Sequence, residues 1–418
     1  MKPTIVISSP VDTYSGYGAR SRDFVQAIID LDKYDVKLLS QRWGNTRFGY
    51  LSDHERDDIL SLIIPKLDAK PDIWVQITVP NEFQPVGNYN IGVTAGIETT
   101  LCDQSWIQGL NRMDLILTSS VHSKKVLEDT KWELKDNRTG QVQKLETLKP
   151  VEVLFEGVDI TKYFITKSKL DLSAINESFC FLSVGHWLQG TFGNDRKNIG
   201  YTVKLFLDTF KNKPNPPALI LKTSHATTSL IDKTNLMNKL DSIRKTVKGK
   251  LPNIYILHGD LSDQEINELY NHPKVKAMVT HTRGEGFGRP LLEFSMTGKP
   301  IIASGWSGQV DFLNPSYTNL LPGTLTKLDP SSVVKGVLLP DSQWFKVDDA
   351  AASKAFKMVY KHYKKYITPA KKLKHENKEK FSYSAMVESL KTIVEKYVTD
   401  TKPQPKLTKL SLPKLKRV

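Results

Sequence analysis

Cysteine is nearly absent from this chain. Only Cys102 and Cys180 occur among 418 residues. Two thiols build neither a disulfide framework nor a metal cluster, and a reducing, cytoplasmic setting is expected. No apolar run approaches the roughly 18 to 20 residues of a membrane span. The opening MKPTIVISSPVD enters a strand at once, so no signal peptide is expected. No acidic or histidine cluster has metal-ligand spacing, so neither a metal nor a resident cofactor is expected. What the chain does hold is positive charge, unevenly placed. Of a net +14, residues 361–418 carry +11, with 16 Lys/Arg against 5 Asp/Glu. A basic tail on a near-neutral body suits a polyanion, either nucleic acid or an acidic membrane surface; otherwise it is a solvated tail without a partner.

The length implies two or three domains, and the regular apolar runs imply an α/β protein. The informative stretch is 277–313, AMVTHTRGEGFGRPLLEFSMTGKPIIASGWSGQVDFL. Ala277–Thr280 is a strand candidate. Pro290 suits a helix start, and Gly298–Lys299–Pro300 ends that helix before a strand at 301–303. Strand, glycine loop, helix and strand form one unit of a parallel sheet, and ligands bind such sheets at the carboxyl ends of the strands. That end carries Glu285, Gly286, Phe287, Gly288 and Arg289. A helix N-terminus there suits a phosphate. Glu285 and Glu293 can both face the cleft as acceptors of sugar hydroxyls.

This segment closely resembles the Glu-x7-Glu signature of retaining glycosyltransferases of the GT-B fold, family 4. The resemblance covers about residues 1–400. It implies two Rossmann-like doubly wound α/β domains facing across a cleft. It also implies transfer of a sugar from a nucleotide-diphosphate donor, such as a UDP-sugar, with no metal. By the resemblance, Glu285 with the amides of Gly286 and Phe287 holds the donor sugar, Gly288 belongs to the same loop, and Glu293 holds the ribose. The family also places an Arg after a strand and a Lys before a helix on the leaving phosphate. Lys197 matches the Lys. His186 or Trp187 stands where the Arg belongs, and Arg196 is the candidate substitute.

Other stretches fill in the cleft. Gly16 and Gly18 lie in a loop after the first strand, with a helix expected from about Ser21; Arg20 and Arg22 either face an anion or are surface residues. Trp43 and Arg47, in a loop mixing basic and aromatic residues, are acceptor-surface candidates. Glu98 matches an acidic residue of the family's IG-x-x-x-x-E-T pattern. His122 is either a phosphate or acceptor contact or a helix cap. Residues 130–148 suggest a hairpin insertion around Asp136–Gly140, and 257–270 resembles the stretch before the base pocket. A loop with Gly190 and Gly193 leads to Lys197. Trp344–Tyr366 is expected to be helical.

The expected domains are 1–165 (acceptor side), with a crossover helix at about 382–398; 176–368 (nucleotide sugar); and a disordered basic tail, 400–418. The acceptor proposed is a hydroxymethylated base in phage DNA, since 15–22 and 91–100 look phage-like. The expected location is the cytoplasm, under the phage reading that of the infected host. The alternative is a capsule or envelope polysaccharide or lipid, with peripheral membrane contact through the tail. A nucleotide-sugar epimerase and a non-catalytic DNA-binding protein are the other classes.

Overall fold

The computed structural model describes residues 2–135, 138, 140–187, 192–224 and 229–398. The expected tail at 400–418, Gly190, and the turn residues Asp136, Asn137 and Thr139 lie outside them.

Short runs of β-branched and aliphatic residues, buried on both faces, build two parallel sheets. The first contains β1 (Thr4–Ser9), β2 (Asp35–Ser40), β3 (Ile73–Ile77), β4 (Tyr89–Thr94), β5 (Leu115–Thr118) and β6 (Val151–Val153), in the order β2-β1-β3-β4-β5-β6. The second contains β7 (Cys180–Val184), β8 (Ala218–Lys222), β9 (Ile254–Leu257), β10 (Val275–Thr280), β11 (Ile301–Ser304) and β12 (Asn319–Leu321), in the order β9-β8-β7-β10-β11-β12. Each order reverses direction once, between β1 and β3 and between β7 and β10. At such switch points the loops leaving neighbouring strands part and open a crevice.

Helices cover both faces. Those used below are α1 (Gly16–Asp30), α2 (Gln104–Asn111), α3 (Val121–Asp129), α4 (Ile199–Phe210), α5 (Leu230–Lys245), α6 (Asp263–Asn271), α7 (Arg289–Ser295), α8 (Asp349–Lys361), α9 (Tyr363–Lys380) and α10 (Tyr383–Tyr397). A hairpin pairs 132–135 with 142–145. No helix among the described residues is long and apolar enough to cross a membrane.

Two expectations are corrected. Helix α1 starts at Gly16, about five residues before Ser21, because Ser15 caps it by accepting the Gly18 N–H. Gly16 and Gly18 are therefore first-turn helix residues and not loop residues. Gly18 is there for space: a Cβ would collide with the Thr13 carbonyl oxygen. Second, Trp344 lies in a strand, Gln343–Val347, paired antiparallel with 323–327. Pairing with 323–327 overrides the helical spacing of the apolar residues that follow, and helix α8 begins only after Asp348, whose side chain caps it.

The chain crosses between the domains twice, and the crossings touch. The Val158 N–H donates to Phe381 O at 2.9 Å, and the Tyr383 N–H donates to Val158 O at 2.8 Å. Phe155 packs edge-on against Phe381, with ring centroids 5.1 Å apart. Helix α10 then returns to the N-terminal core, where Met386 and Leu390 are fully buried beside Phe24 and Ile28 of α1.

Candidate active site

The loop 281–288 leaves β10 at the switch point and packs against the N-terminal domain. A Cβ on Gly284 would collide with the Glu98 carbonyl, and one on Gly286 with the Ala95 carbonyl. These glycines let two backbones meet across the cleft. Ser307 Oγ accepts the Glu285 N–H at 2.8 Å, and Gly308 N–H donates to Glu285 O at 2.9 Å, which fixes the loop from behind. Among the described residues, no hydrogen bond engages the N–H of Gly286 or Phe287. The Phe287 ring itself is buried against Phe312. Gly288, at φ 101°, turns the chain into α7. That helix has seven residues, too short for the dipole-rich terminus expected there.

Glu285 is 8% exposed and meets two cations. Lys197 Nζ lies 2.6 Å from both carboxylate oxygens, and Arg196 Nη1 lies 3.5 Å from one. Burial pushes the Glu285 pKa up, the two cations pull it down, and the cations win. Lys197 moves below the usual lysine value, burial outweighing Glu285. Arg196 also reaches Glu98 Oε1 at 3.2 Å, so Glu98 enters from the opposite domain.

Glu293 lies one turn into α7, 7% exposed. It accepts from Arg289 Nε at 2.9 Å and from the Tyr270 hydroxyl at 3.4 Å. Its pKa is pushed up to about 7 by burial, with Asp263 and Asp23 adding and Arg289 opposing. Arg289 in turn pairs with Asp23 on α1. A cavity of about 470 Å³ opens between α1 and α7, with Ser15, Asp23, Lys162, Tyr163, Arg289 and Glu293 among its walls.

The structure thus brings together Glu285, Lys197, Arg196 and Glu98, with Gly286 and Phe287 in the same loop, while Glu293 stands with Arg289, Tyr270 and Asp23 at the cavity. Other candidates stand apart from this cluster. Arg20 is buried and donates to the carbonyls of Leu154 and Phe155, and Arg22 donates to those of Val11 and Thr13. Both are buried and hold backbone together, so neither is a surface residue; Arg22 also lines the cavity. Trp43 stacks on Tyr17 at 4.0 Å, and Tyr17 bonds Thr94 beside the cleft loop. Arg47 pairs with Asp53 and lies over the Tyr14 ring. His122 is not the cap of α3, since Ser120 accepts the Ser123 N–H. It sits edge-on to Trp306 at 4.7 Å, and burial lowers its pKa to about 4, so it is neutral. Trp187 is buried in the core, which leaves His186, exposed and 2.9 Å from Ser224 Oγ, at the position of the missing arginine. Asp23 escaped the sequence reading, and Arg289 entered it only as a loop residue without a partner. They are 266 residues apart and meet only because the domains face one another.

Comparison with solved structures decides the architecture. A glycosyltransferase from Rickettsia africae is 13% identical over 96% of this chain and 99% of that one, with a TM-score of 0.62. Anabaena HepE, in complex with UDP and glucose, is 12% identical over 94% and 100%, with a TM-score of 0.60. Sucrose-phosphate synthase from Thermosynechococcus elongatus is 10% identical over 95% and 99%, with a TM-score of 0.61. This is the GT-B fold. The chain matches no family model and no curated protein. In GT-B terms, the two sheets are the facing domains, and α10 is the helix that returns to the first of them.

Proposed function

We propose that this GT-B chain is a retaining glycosyltransferase that takes its sugar from a nucleotide-diphosphate donor. The observation that carries the reading is the pair of buried glutamates eight residues apart, Glu285 beside Lys197, Arg196 and the unbonded amides of Gly286 and Phe287, and Glu293 beside Arg289. The similar folds of HepE with UDP and glucose, and of a second HepE complex with UDP-glucose, make UDP-sugars the first donors to test.

In this reading, Glu285 and the two amides orient the sugar and Glu293 orients the ribose. The bond from the anomeric carbon to the diphosphate breaks, and the acceptor oxygen attacks from the same face. The acceptor proton passes to the departing phosphate oxygen. Lys197 and Arg196 then face the growing negative charge in a water-poor site, where fixed cations are worth most. Because they supply the charge neutralisation, turnover is expected to persist in EDTA.

For the acceptor, we carry the modified base of phage DNA as the first proposal. Its support is the basic C-terminal region, where Lys364, Lys371 and Lys378 of α9 are exposed one heptad apart on one helical face. The same lysines equally suit an acidic membrane surface, and with it a polysaccharide or lipid acceptor. A thermal-shift screen of UDP-, GDP- and ADP-sugars, repeated with hydroxymethylated and plain DNA, separates these outcomes. A rise in Tm with one nucleotide sugar supports the donor reading. A further rise with modified DNA alone supports the phage acceptor, while indifference to all DNA moves the acceptor to a polysaccharide or lipid. No shift with any nucleotide sugar removes the enzyme reading.

A further inference from the structure

Each motif glutamate is bridged to the opposite domain through one arginine. Glu285 meets Arg196, which reaches Glu98. Glu293 meets Arg289, which reaches Asp23 on α1. The second bridge is the more demanding. The Glu293 side chain is 9% exposed, and among the described residues its one ion pair is with Arg289. A buried carboxylate without a cation takes up a proton instead of staying charged. The guanidinium is also the right shape for the position. Its Nε faces Glu293 while Nη1 faces Asp23, two edges of one planar fork used on two carboxylates.

We propose that Arg289 is a positioning residue that, shared between Glu293 and Asp23, keeps Glu293 oriented as a hydroxyl acceptor and ties nucleotide occupancy to closure of α1 onto the C-terminal domain. This inference rests on the reading of Glu293 as a ribose contact. The cavity between α1 and α7 is where the two events meet, since Asp23, Arg289 and Glu293 all line it. A nucleoside placed against Glu293 therefore lies against the same guanidinium that holds the other domain.

The groups facing this pair come from every neighbouring element. Asp23 and Arg22 come from α1, Glu156, Lys162 and Tyr163 from the crossing after β6, and Asp263 and Tyr270 from α6, where Lys162 and Arg22 act on Asp263. Burial, with Asp263 and Asp23 adding, raises the proton affinity of Glu293; Arg289, paired to it directly, opposes them, and the Tyr270 hydroxyl donates to the carboxylate. Without Arg289 the carboxylate protonates at higher pH still. With lysine in its place the charge returns, but a single ammonium does not reach both carboxylates with the fork's geometry.

The test uses the full chain with UDP, measured by calorimetry from pH 6 to 9, and by small-angle scattering with and without UDP. In the wild type, affinity is expected to rise with pH through about 7, as Glu293 ionises. Arg289→Ala is expected to bind about tenfold more weakly at pH 7.5, with its midpoint displaced upward. Arg289→Lys is expected to restore the midpoint but not the compaction that UDP produces. Asp23→Asn is expected to bind UDP and to lose that compaction. Equal weakening of Arg289→Ala at every pH, or unchanged affinity and unchanged compaction in both variants, overturns the proposal. Circular dichroism checks folding, and if Arg289→Ala fails to fold, Asp23→Asn on the half-buried face of α1 carries the test. If the wild type binds neither UDP, GDP nor ADP, the glycosyltransferase reading itself falls; if it binds and the variants match it, only this inference does.

Discussion

Glu285 and Glu293 belong to one motif, lie in one cleft wall and are almost equally buried, yet they carry charge differently. Glu285 has two cations against it, and its pKa ends below the ordinary carboxylate value. Glu293 has one arginine, shared with Asp23, and ends at about 7. Burial acts alike on both. The difference comes from how many positive neighbours each has and how many other acids compete for them. A sequence motif fixes where two carboxylates stand. Most partners that decide their charge come from elsewhere: Arg196 and Lys197 from the loop before α4, and Asp23 from the other domain, with Arg289 from the same helix as Glu293.

The largest expected effect falls on the Glu285 side. Lys197→Ala leaves a buried carboxylate with Arg196 alone and removes a cation from the reacting centre. Turnover on the donor that shifts Tm is expected to drop by about 10²–10³, the scale for losing one preorganised electrostatic contact. Turnover within tenfold of wild type would mean that Lys197 is only a structural counter-ion.

The two sides also respond to pH with opposite sign. The lowered pKa of Glu285 contributes stability that is present above the ordinary carboxylate value near 4.5 and is lost as pH falls through the lowered one. The raised pKa of Glu293 does the reverse. Its folded state holds the proton more tightly, so that contribution is full below 4.5 and lost as pH rises through about 7. Replacing Glu293 by Gln is therefore expected to shrink the difference in Tm between pH 6 and pH 8 by a few degrees. An unchanged difference would place Glu293 with Glu285, as an ordinary ionised group. The smallest effect concerns Tyr270. Its hydroxyl bond to Glu293 is long, 3.4 Å, so Tyr270→Phe is expected to change nucleotide affinity by no more than about twofold. A tenfold loss would make Tyr270 a principal partner of that carboxylate.

The sheets were legible because parallel strands appear as short apolar runs between glycine loops, and 277–313 holds two such runs, 277–280 and 301–304, with a helix between them. The grouping of Glu285 with Lys197 was reachable only through the family resemblance, because the two lie 88 residues apart. Glycines misled at the start of α1. Gly16 and Gly18 look like a ligand loop, and the better signal was Ser15, a capping residue. Arg20 and Arg22 are not the surface residues their charge suggests, since both are buried and donate to carbonyl oxygens inside the fold. Trp344 misled because the apolar residues after it keep helical spacing into α8. Nothing local announced the meeting of Arg289 with Asp23.

The double crossing between the domains has a consequence for the integrity of the chain. Helix α10 is covalently part of the second half but is embedded among Phe24, Ile28 and their neighbours in the first. Residues 164–178 contain no helix or strand, and Phe164 and Ile165 are exposed there, so limited proteolysis is expected to cut at that end of the segment, before Leu172 and Ile175 enter the core. One cut would yield two polypeptides that remain a single particle, held by α10 like a peg in its socket. The two pieces, made separately, are then expected to find each other and rebuild the cleft.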